Sequence, residues 1–480
     1  VTETSHRKKS RYSLFCVYVS ALLSIFFFSK KETAMKITFI RVNMFEYVGS
    51  DAMKPLLFGI IKALTPKNCD IDFIDERAEV LPEKIDSDVI AFSVETYAAK
   101  RAYILAKKYK TDKNIIVMGG FHVSVMPDEA LRYADAVLIG DAEDTWGPFV
   151  SDCMAGTVKK RYASRELLEG SSGAGRLLSP LPDESVYRHR YHGIGVCQIS
   201  RGCRYHCAFC SIKTMYRGVR SKTAEQVYQE LKAAREKIIF FADDNLFYDR
   251  ESALALFRRI ALLRKKWACQ ISMDAARDDE LLSEMRRSGC FLVLMGFESL
   301  SAASLEEMNK AANRSAADYE TVIKNVYRHG MLIYGTFVLG CDGDSPDVFE
   351  KTFAFAVKNK IAVANFNPLI PMPGTEVYGK LEREGRLLYR RWWLSDRYRY
   401  GETAFLPLHM TPEELRDGCL GIRTRFYSAG CVLRRLFSNP IHLYPRNLFV
   451  FLLINGISRR EIARKQGHLL GGFLHEADAD

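Results

Sequence analysis

The sequence predicts an α/β protein in three parts: a doubly wound front domain, a second strand–helix series, and a helical tail. Three observations carry this. Apolar runs alternate with helical segments from Met35 to about residue 153, six further apolar runs recur roughly every 25–40 residues between 194 and 370, and beyond about residue 380 the chain turns helical, basic and aromatic. Near-continuous apolar strands separated by helices indicate a parallel sheet covered on both faces.

In the front part the runs are KITFIRV (36–42), DIDFID (70–75), DVIAFSV (88–94), NIIVMGG (114–120) and AVLIG (136–140), with helices expected at about 52–65, 97–109 and 143–153. This reads as a complete five-strand, Rossmann-like domain over residues 35–153. Ligands of such folds sit beyond the carboxyl ends of the strands, where this chain carries Ser93, Glu95, Thr96, Gly119, Gly120, His122 and Gly140. The turn after the first strand, RVNMFEYVGSDA, has no G-x-G-x-x-G, which argues against a dinucleotide site. Residues 154–190, with EGSSGAGRLLSPLPDES, read as a linker.

The second series, residues 191–380, has strands expected at 194–200, 237–242, 267–273, 291–297, 332–339 and 363–370. Six such units form either a partial barrel or another open sheet. Gln270, Ser272 and Asp274 alternate along CQISMD and are expected to face the interior, or to be satisfied structural polar residues. Residues 381–480 read as a helical C-terminal domain, with a capping box at Thr411 and Glu414 and a helix-starting Pro412. Trp392, Trp393, Tyr398, Tyr400 and Phe405 either close over a large planar or apolar substrate or simply pack a core.

The 480 residues, 48% hydrophobic and 26% charged, suffice for two or three full cores and exclude a disordered or linker-dominated chain. Of the formal charge of +11, residues 1–34 supply +4 from six Lys/Arg and two Asp/Glu. The same segment holds an apolar stretch of about 18 residues between basic flanks. It is read either as a membrane anchor or uncleaved signal, or as an over-extended frame ahead of a natural start at Met35. YPRNLFVFLLING (444–456) is too short to span a membrane and is either a buried helix or a membrane-surface contact. Twelve cysteines are too sparse for a disulfide scaffold, and an exposed thiol cluster favours the cytosol.

That cluster is SRGCRYHCAFCS, with Cys203, Cys207 and Cys210 spaced C-x3-C-x2-C directly after the first strand of the second series. Zinc is one reading, since thiolates bind it readily and His206 lies inside the cluster. Three irons of a cubane, with one iron left open, is the other. Cys197 and Cys269 are alternative fourth ligands, although neither belongs to the compact loop.

With Phe209 before the last cysteine, this motif resembles the signature of radical S-adenosylmethionine (SAM) enzymes. The resemblance implies a partial (β/α)6 barrel and a 4Fe-4S cluster on the three cysteines, its open iron bound by the amino and carboxylate groups of SAM. It also implies a 5′-deoxyadenosyl radical after electron transfer from a donor such as flavodoxin or ferredoxin. In FFADDNLFYD the resemblance places Asp243, Asp244 and Asn245 near the methionine amino group, although the family's segment there is commonly Gly-Gly-Glu; an Asx turn or helix cap is the alternative. Glu298 in MGFESL and Ser272 are placed beside the same ligand, or are structural.

MGGFHVSVMPDEAL and ADAVLIGDAEDTW ahead of such a barrel are similar to the cobalamin-binding branch of that family. The absence of D-x-H-x-x-G between 43 and 55 implies cobalamin without a histidine ligand of that kind, and His122 is expected near the ligand or in a turn or core. The implied reaction is methylation of an unactivated carbon of a small molecule, tetrapyrrole or lipid-like substrate, by hydrogen abstraction and methyl transfer from methylcobalamin. Alternatives are cyclisation or oxidative tailoring on the same architecture, an iron–sulfur RNA-modifying enzyme, and a zinc-stapled scaffold. Nucleic acid is disfavoured because no RNA-binding module is appended.

Overall fold

A computed structural model describes residues 34–49, 53–165, 175–187, 191, 193–246, 249–310, 313 and 316–472. The expectations for a leader or anchor fall, but for Ala34, outside the described residues.

The front sheet comprises β1 (Met35–Arg41), β2 (Cys69–Asp75), β3 (Val89–Ser93), β4 (Ile115–Gly119), β5 (Ala136–Ile139) and β6 (Arg161–Ala163). All run parallel in the order β2-β1-β3-β4-β5-β6. Helices α1 (Leu56–Leu64), α2 (Ala99–Tyr109) and α3 (Ala142–Ala155) cover its faces. The strands are apolar throughout because successive side chains enter two different cores. Ile40, Phe92, Met118 and Val137 join one with α2, while Phe39, Ala91, Val117 and Leu138 join the other with α1 and α3. Edge strand β2 differs: Asp70 and Asp72 are exposed between buried Cys69, Ile71 and Phe73, so that face is open. The five-strand expectation is corrected to six, because the segment read as linker supplies β6 before it crosses to the second domain.

The second sheet comprises β7 (Ile194–Cys197), β8 (Ile238–Phe241), β9 (Lys266–Ile271), β10 (Cys290–Glu298), β11 (Leu332–Leu339) and β12 (Val363–Pro368), paired in parallel and in chain order. Its outer helices are α4 (Ala224–Ala233), α5 (Arg250–Ile260), α6 (Asp279–Ser288), α7 (Ala316–Arg328), α8 (Asp347–Lys358) and α9 (Glu376–Arg383). Strands β7 and β12 stand at the two ends and do not pair with each other, so the sheet is the open, partial barrel expected. Cys197, Phe241, Cys269, Val293 and Phe337 are buried under the helices, and the alternate set, including Val196, Phe240, Gln270 and Gly296, lines cavities.

The tail is only partly the helical domain expected. Helices α10 (Pro412–Phe426), α11 (Ala429–Ser438) and α12 (Pro445–Lys465) pack on the barrel side, and the Thr411/Glu414 capping box is formed. Residues 384–411 are not helical. Instead Trp392, Trp393, Tyr398, Ala404 and Leu470 complete the α2-side core of the front domain. Trp392 donates its indole N–H to the Pro371 carbonyl (2.8 Å), and the fully buried Lys100 pairs with Asp396 at 2.5 Å. The tryptophans, Tyr398 and Phe405 are therefore core residues, not a lid over substrate.

Candidate active site

Ser200–Arg201 pairs antiparallel with Arg220–Ser221, so residues 202–219 form a loop closed at its base. Gly202 starts it at φ +89°, where an added Cβ would meet the Gly218 carbonyl oxygen at 2.0 Å, so no other residue fits that turn without moving backbone. The loop is held by main-chain bonds from Ala208 N–H to Met308 O (2.9 Å) and Val377 N–H to Ala208 O (3.2 Å), and by the Asn309 amide to His206 O (2.9 Å).

Within it Cys203, Phe209, Cys207 and Cys210 line a cavity of about 120 Å³ together with Asp244, Asn245, Gln270, Ser272 and Glu298. Lys310 and Asn313 complete the wall. Among the described residues, no three His, Cys, Asp or Glu side chains converge closely enough to hold one ion. A closed zinc site needs its ligands at about 2.3 Å from one centre, whereas a cubane gives each thiolate its own iron. Cys197 and Cys269 are buried in the barrel wall, away from the loop's cavity, so neither is a fourth ligand. Burial pushes the Cys210 thiol up to about 11, partly opposed by the Ile212 N–H, and raises Cys207 against the attraction of Lys310.

Among the described residues, three buried polar groups facing this cavity find no hydrogen-bond partner: both side-chain atoms of Asn245, the Ser272 hydroxyl, and the Asn313 carbonyl oxygen. Each is costly unless something satisfies it. Glu298 stands at φ +62°, after a register shift in β10, and accepts from Lys310 Nζ at 2.7 Å. Burial alone would depress the Lys310 ammonium, but the neighbouring Glu298 carboxylate holds its pKa above the usual value.

Asp243 differs from its two neighbours. It accepts from the Ile199 amide (3.1 Å), the Ser200 amide and the Ser200 hydroxyl (2.8 Å), and it faces neither cavity. Burial pushes it up to about 7 against those donors. Its placement is that of a brace under the cysteine loop, and the expectation that it contacts SAM is corrected. Asp244 also braces the loop, accepting from the Gly202 N–H at 2.9 Å, while reaching the cavity. Asp274 is ion-paired with Arg204 and does not line it.

The front domain holds a larger cavity of about 610 Å³. Ser93, Glu95, Gly119, Gly120 and Gly140 line it at the strand ends. From there it runs between the sheet and α1/α3, past apolar Ala91, Val117, Leu138, Ile60 and Trp146. The barrel closes its far side with Val196, Gln198, Arg201, Phe240 and Ala242. Gly120 is required by the chain itself: at φ +106° an added Cβ would meet Val94 backbone atoms at 2.8 and 2.9 Å.

Thr96 and His122 are not part of this lining. His122 is fully buried, with Nδ1 3.3 Å from the Thr96 hydroxyl and Nε2 3.0 Å from Glu129 Oε1. Glu129 also accepts from Tyr103 and from the Trp393 indole, each at 3.0 Å. Burial would raise Glu129, but the donors from His122, Trp393 and Tyr103 hold its pKa below the usual carboxylate range. The expected contact of Thr96 and His122 with a ligand gives way to a polar knot under the tail.

Two ion-pair groups join the domains. Arg201 clamps Glu143 through two bonds of 2.8 Å and meets Asp141 at 3.0 Å, and Arg220 reaches Asp141 at 2.6 Å. Lys54 binds Glu236 at 2.9 Å and Glu184, lying 4.2 Å from the Tyr187 ring centre. Sequence reasoning missed Arg201, Lys310 and Asn313. Arg201, two residues before Cys203, was legible as a neighbour of the motif, but Lys310 and Asn313 lie on a connection with no spacing rule.

The Radical SAM superfamily pattern matches residues 197–356. The chain is 28% identical over 445 residues to bacteriochlorophyllide d C-12(1)-methyltransferase of Chlorobaculum tepidum, covering 90% of this chain and 92% of that one. It is 24% identical over 413 residues to hopanoid C-2 methylase of Rhodopseudomonas palustris, covering 82% and 75%. The radical SAM methyltransferase TsrM from Kitasatospora setae, solved with cobalamin and a 4Fe-4S cluster bound, superposes with a TM-score of 0.59 at 15% identity over 80% of this chain and 81% of that one. Residues 197–356, which carry the cysteine loop at the mouth of the partial barrel, thus match the Radical SAM superfamily pattern, and the two-domain fold is similar to that of TsrM.

Proposed function

We propose that this chain is a cobalamin-dependent radical SAM C-methyltransferase whose acceptor is a small molecule of tetrapyrrole or lipid-like character. One observation carries the reading: the front-domain cavity and the cysteine cavity lie at the two ends of one short segment, with Arg201 lining the first and Cys203 the second. The relatives named above support the acceptor class.

Both cavities fit the groups proposed for them. The small one offers three thiols and unpartnered Asn245, Ser272 and Asn313, suited to the irons and to the amino and carboxylate groups of SAM. The large one offers a polar mouth and an apolar slot between sheet and helices, suited to the face and tail of a corrin. When bound, the cluster would supply the electron that splits SAM and the corrin would carry the methyl group. The chain's own part is positional. Cys203, Cys207 and Cys210 hold the irons, Asp243 and Asp244 fix the loop that carries them, and Glu298 with Lys310 sets the charge beside it. The Arg201–Glu143–Asp141 clamp fixes the distance between the two sites. A flavodoxin or ferredoxin in the cytosol completes the proposal as electron donor.

The test is anaerobic purification and reconstitution. The expected protein is brown, with about four iron and four sulfide per chain, gains corrin absorption with hydroxocobalamin, and with SAM and reductant adds one CH2 mass increment to a tetrapyrrole acceptor. Stoichiometric zinc without sulfide would overturn the enzyme reading, and iron without corrin binding would overturn methyl transfer from cobalamin.

A further inference from the structure

Helix α12 is apolar on two sides: Val450 and Phe451 are buried against the barrel, and a second apolar stripe faces outward. Phe449, Leu452, Leu453 and Ile457, at spacings that make one stripe, are all exposed, Phe449 by 64%, while Asn447 and Asn455 are buried. The register is specified, not slack. The Asn455 amide donates to Ala362 O (3.1 Å) and Phe451 O (2.8 Å), and its oxygen accepts from the buried Arg435 at 2.9 Å. Arg435 in turn donates to Ile361 O and Ala362 O at the start of β12. Rolling α12 to hide its apolar stripe would strand this whole set, so the stripe is held outward.

The apolar surface continues onto the neighbouring α11 and the turn between the helices, where Leu433, Phe437 (69%), Leu443 and Tyr444 are exposed. Its surroundings are basic. Residues 429–465 contain seven Lys/Arg and one acidic residue, Glu461, and exposed Arg434, Arg459 and Arg460 make no ion pair among the described residues. Among the described residues no helix is long and apolar enough to cross a membrane, so this surface would lie on one, not through it.

We propose that the α11–α12 surface docks on an anionic lipid bilayer, with the Phe449–Ile457 stripe and Phe437 in the acyl boundary and the arginines against lipid phosphates. An apolar stripe with cationic flanks matches that interface in both polarity and charge. The inference is independent of the chemistry proposed above and fails or stands separately from it.

The test is flotation of the full chain with vesicles of equal parts phosphatidylglycerol and phosphatidylcholine, against vesicles of phosphatidylcholine alone. The expected result is strong flotation on the anionic vesicles, reduced at least tenfold by Phe437→Ser, Phe449→Ser and Leu453→Ser combined, with thermal unfolding and iron content unchanged. A second variant, Arg459→Glu with Arg460→Glu, leaves the apolar stripe intact and is expected to abolish the preference for anionic vesicles. Flotation of the serine variant at parent level would overturn the proposal by assigning binding to another segment. A dimer in sedimentation that the same substitutions dissociate would overturn it in favour of a second copy covering the face.

Discussion

Gly202→Ala isolates the loop that carries the three cysteines. The substitution places a Cβ in the left-handed region at φ +89°, at a cost of about 1–2 kcal/mol for a non-glycine residue. The new Cβ would also lie 2.0 Å from the Gly218 carbonyl oxygen, which is backbone and has no side-chain freedom with which to retreat. Relieving that clash moves the loop base and breaks at least the Gly202 N–H bond to Asp244 (2.9 Å), about 1.5 kcal/mol for a charged acceptor. The sum is about 3 kcal/mol, a more than hundredfold shift toward an unseated loop. The assay is iron and sulfide content with the visible spectrum after parallel reconstitution, with Gly147→Ala as control. Gly147 has open space around its Cβ position in α3, so that variant should load fully and gain up to about 1 kcal/mol of stability. Parent-level iron and an unchanged spectrum in Gly202→Ala would refute the claim that this turn seats the cluster ligands.

Three other variants test the remaining assignments. Arg201→Met leaves Glu143 buried without its guanidinium and should cost about 3 kcal/mol at neutral pH. In the parent, burial opposes ionisation of Glu143 but Arg201 outweighs it and holds the pKa below 4.5, so its stabilising contribution is present above that value and lost as pH falls through the depressed one. In the variant the Arg201 contribution is gone and only the weaker hydrogen bonds from Ser179 and the Glu143 backbone still oppose burial, so less stability depends on an ionised Glu143, and the gap between the two urea midpoints of cluster-free protein should narrow on acidification. Asn245→Ala removes buried polar atoms with no partner among the described residues, so unfolding should be unchanged while SAM affinity, measured by equilibrium dialysis, drops about tenfold; a loss of stability instead would mark Asn245 as structural. His122→Ala should lower stability by about 2 kcal/mol, because Glu129 and Thr96 lose a buried partner, yet leave corrin retention at parent level; corrin loss without destabilisation would return His122 to the ligand.

The fold was legible because parallel strands covered on both faces are written as uninterrupted apolar runs. Residues 88–94 and 332–339, for example, differ from the observed strands by no more than a residue at either end. β6 was not, since three residues at a sheet edge, one of them buried, leave no periodic trace. At the site, the cysteine loop could be read because its members share one turn, and Ser93, Glu95 and Gly120 because they follow strand ends. What sequence position does not carry is which way a side chain points after a strand ends. Asp243 and Asp244 are neighbours, yet one is consumed by the amides of Ile199 and Ser200 and the other reaches the cavity. His122 likewise sits beside cavity-lining Gly120 but turns into the core, toward a glutamate seven residues on and a tryptophan from the tail.

That tail has a consequence for how the protein is made. The front domain leaves the ribosome before the barrel, but Trp392, Trp393, Tyr398 and Leu470, some three to four hundred residues later, complete one of its two cores. Until they emerge, the α2 side of the sheet is open and Lys100 lacks Asp396. Closure must wait for the barrel to be synthesised, and contacts of such sequence separation form slowly. A chain truncated near residue 380 should therefore give an aggregation-prone front domain even with every residue of its own sheet intact, and transplanting that domain alone would leave behind part of what folds it.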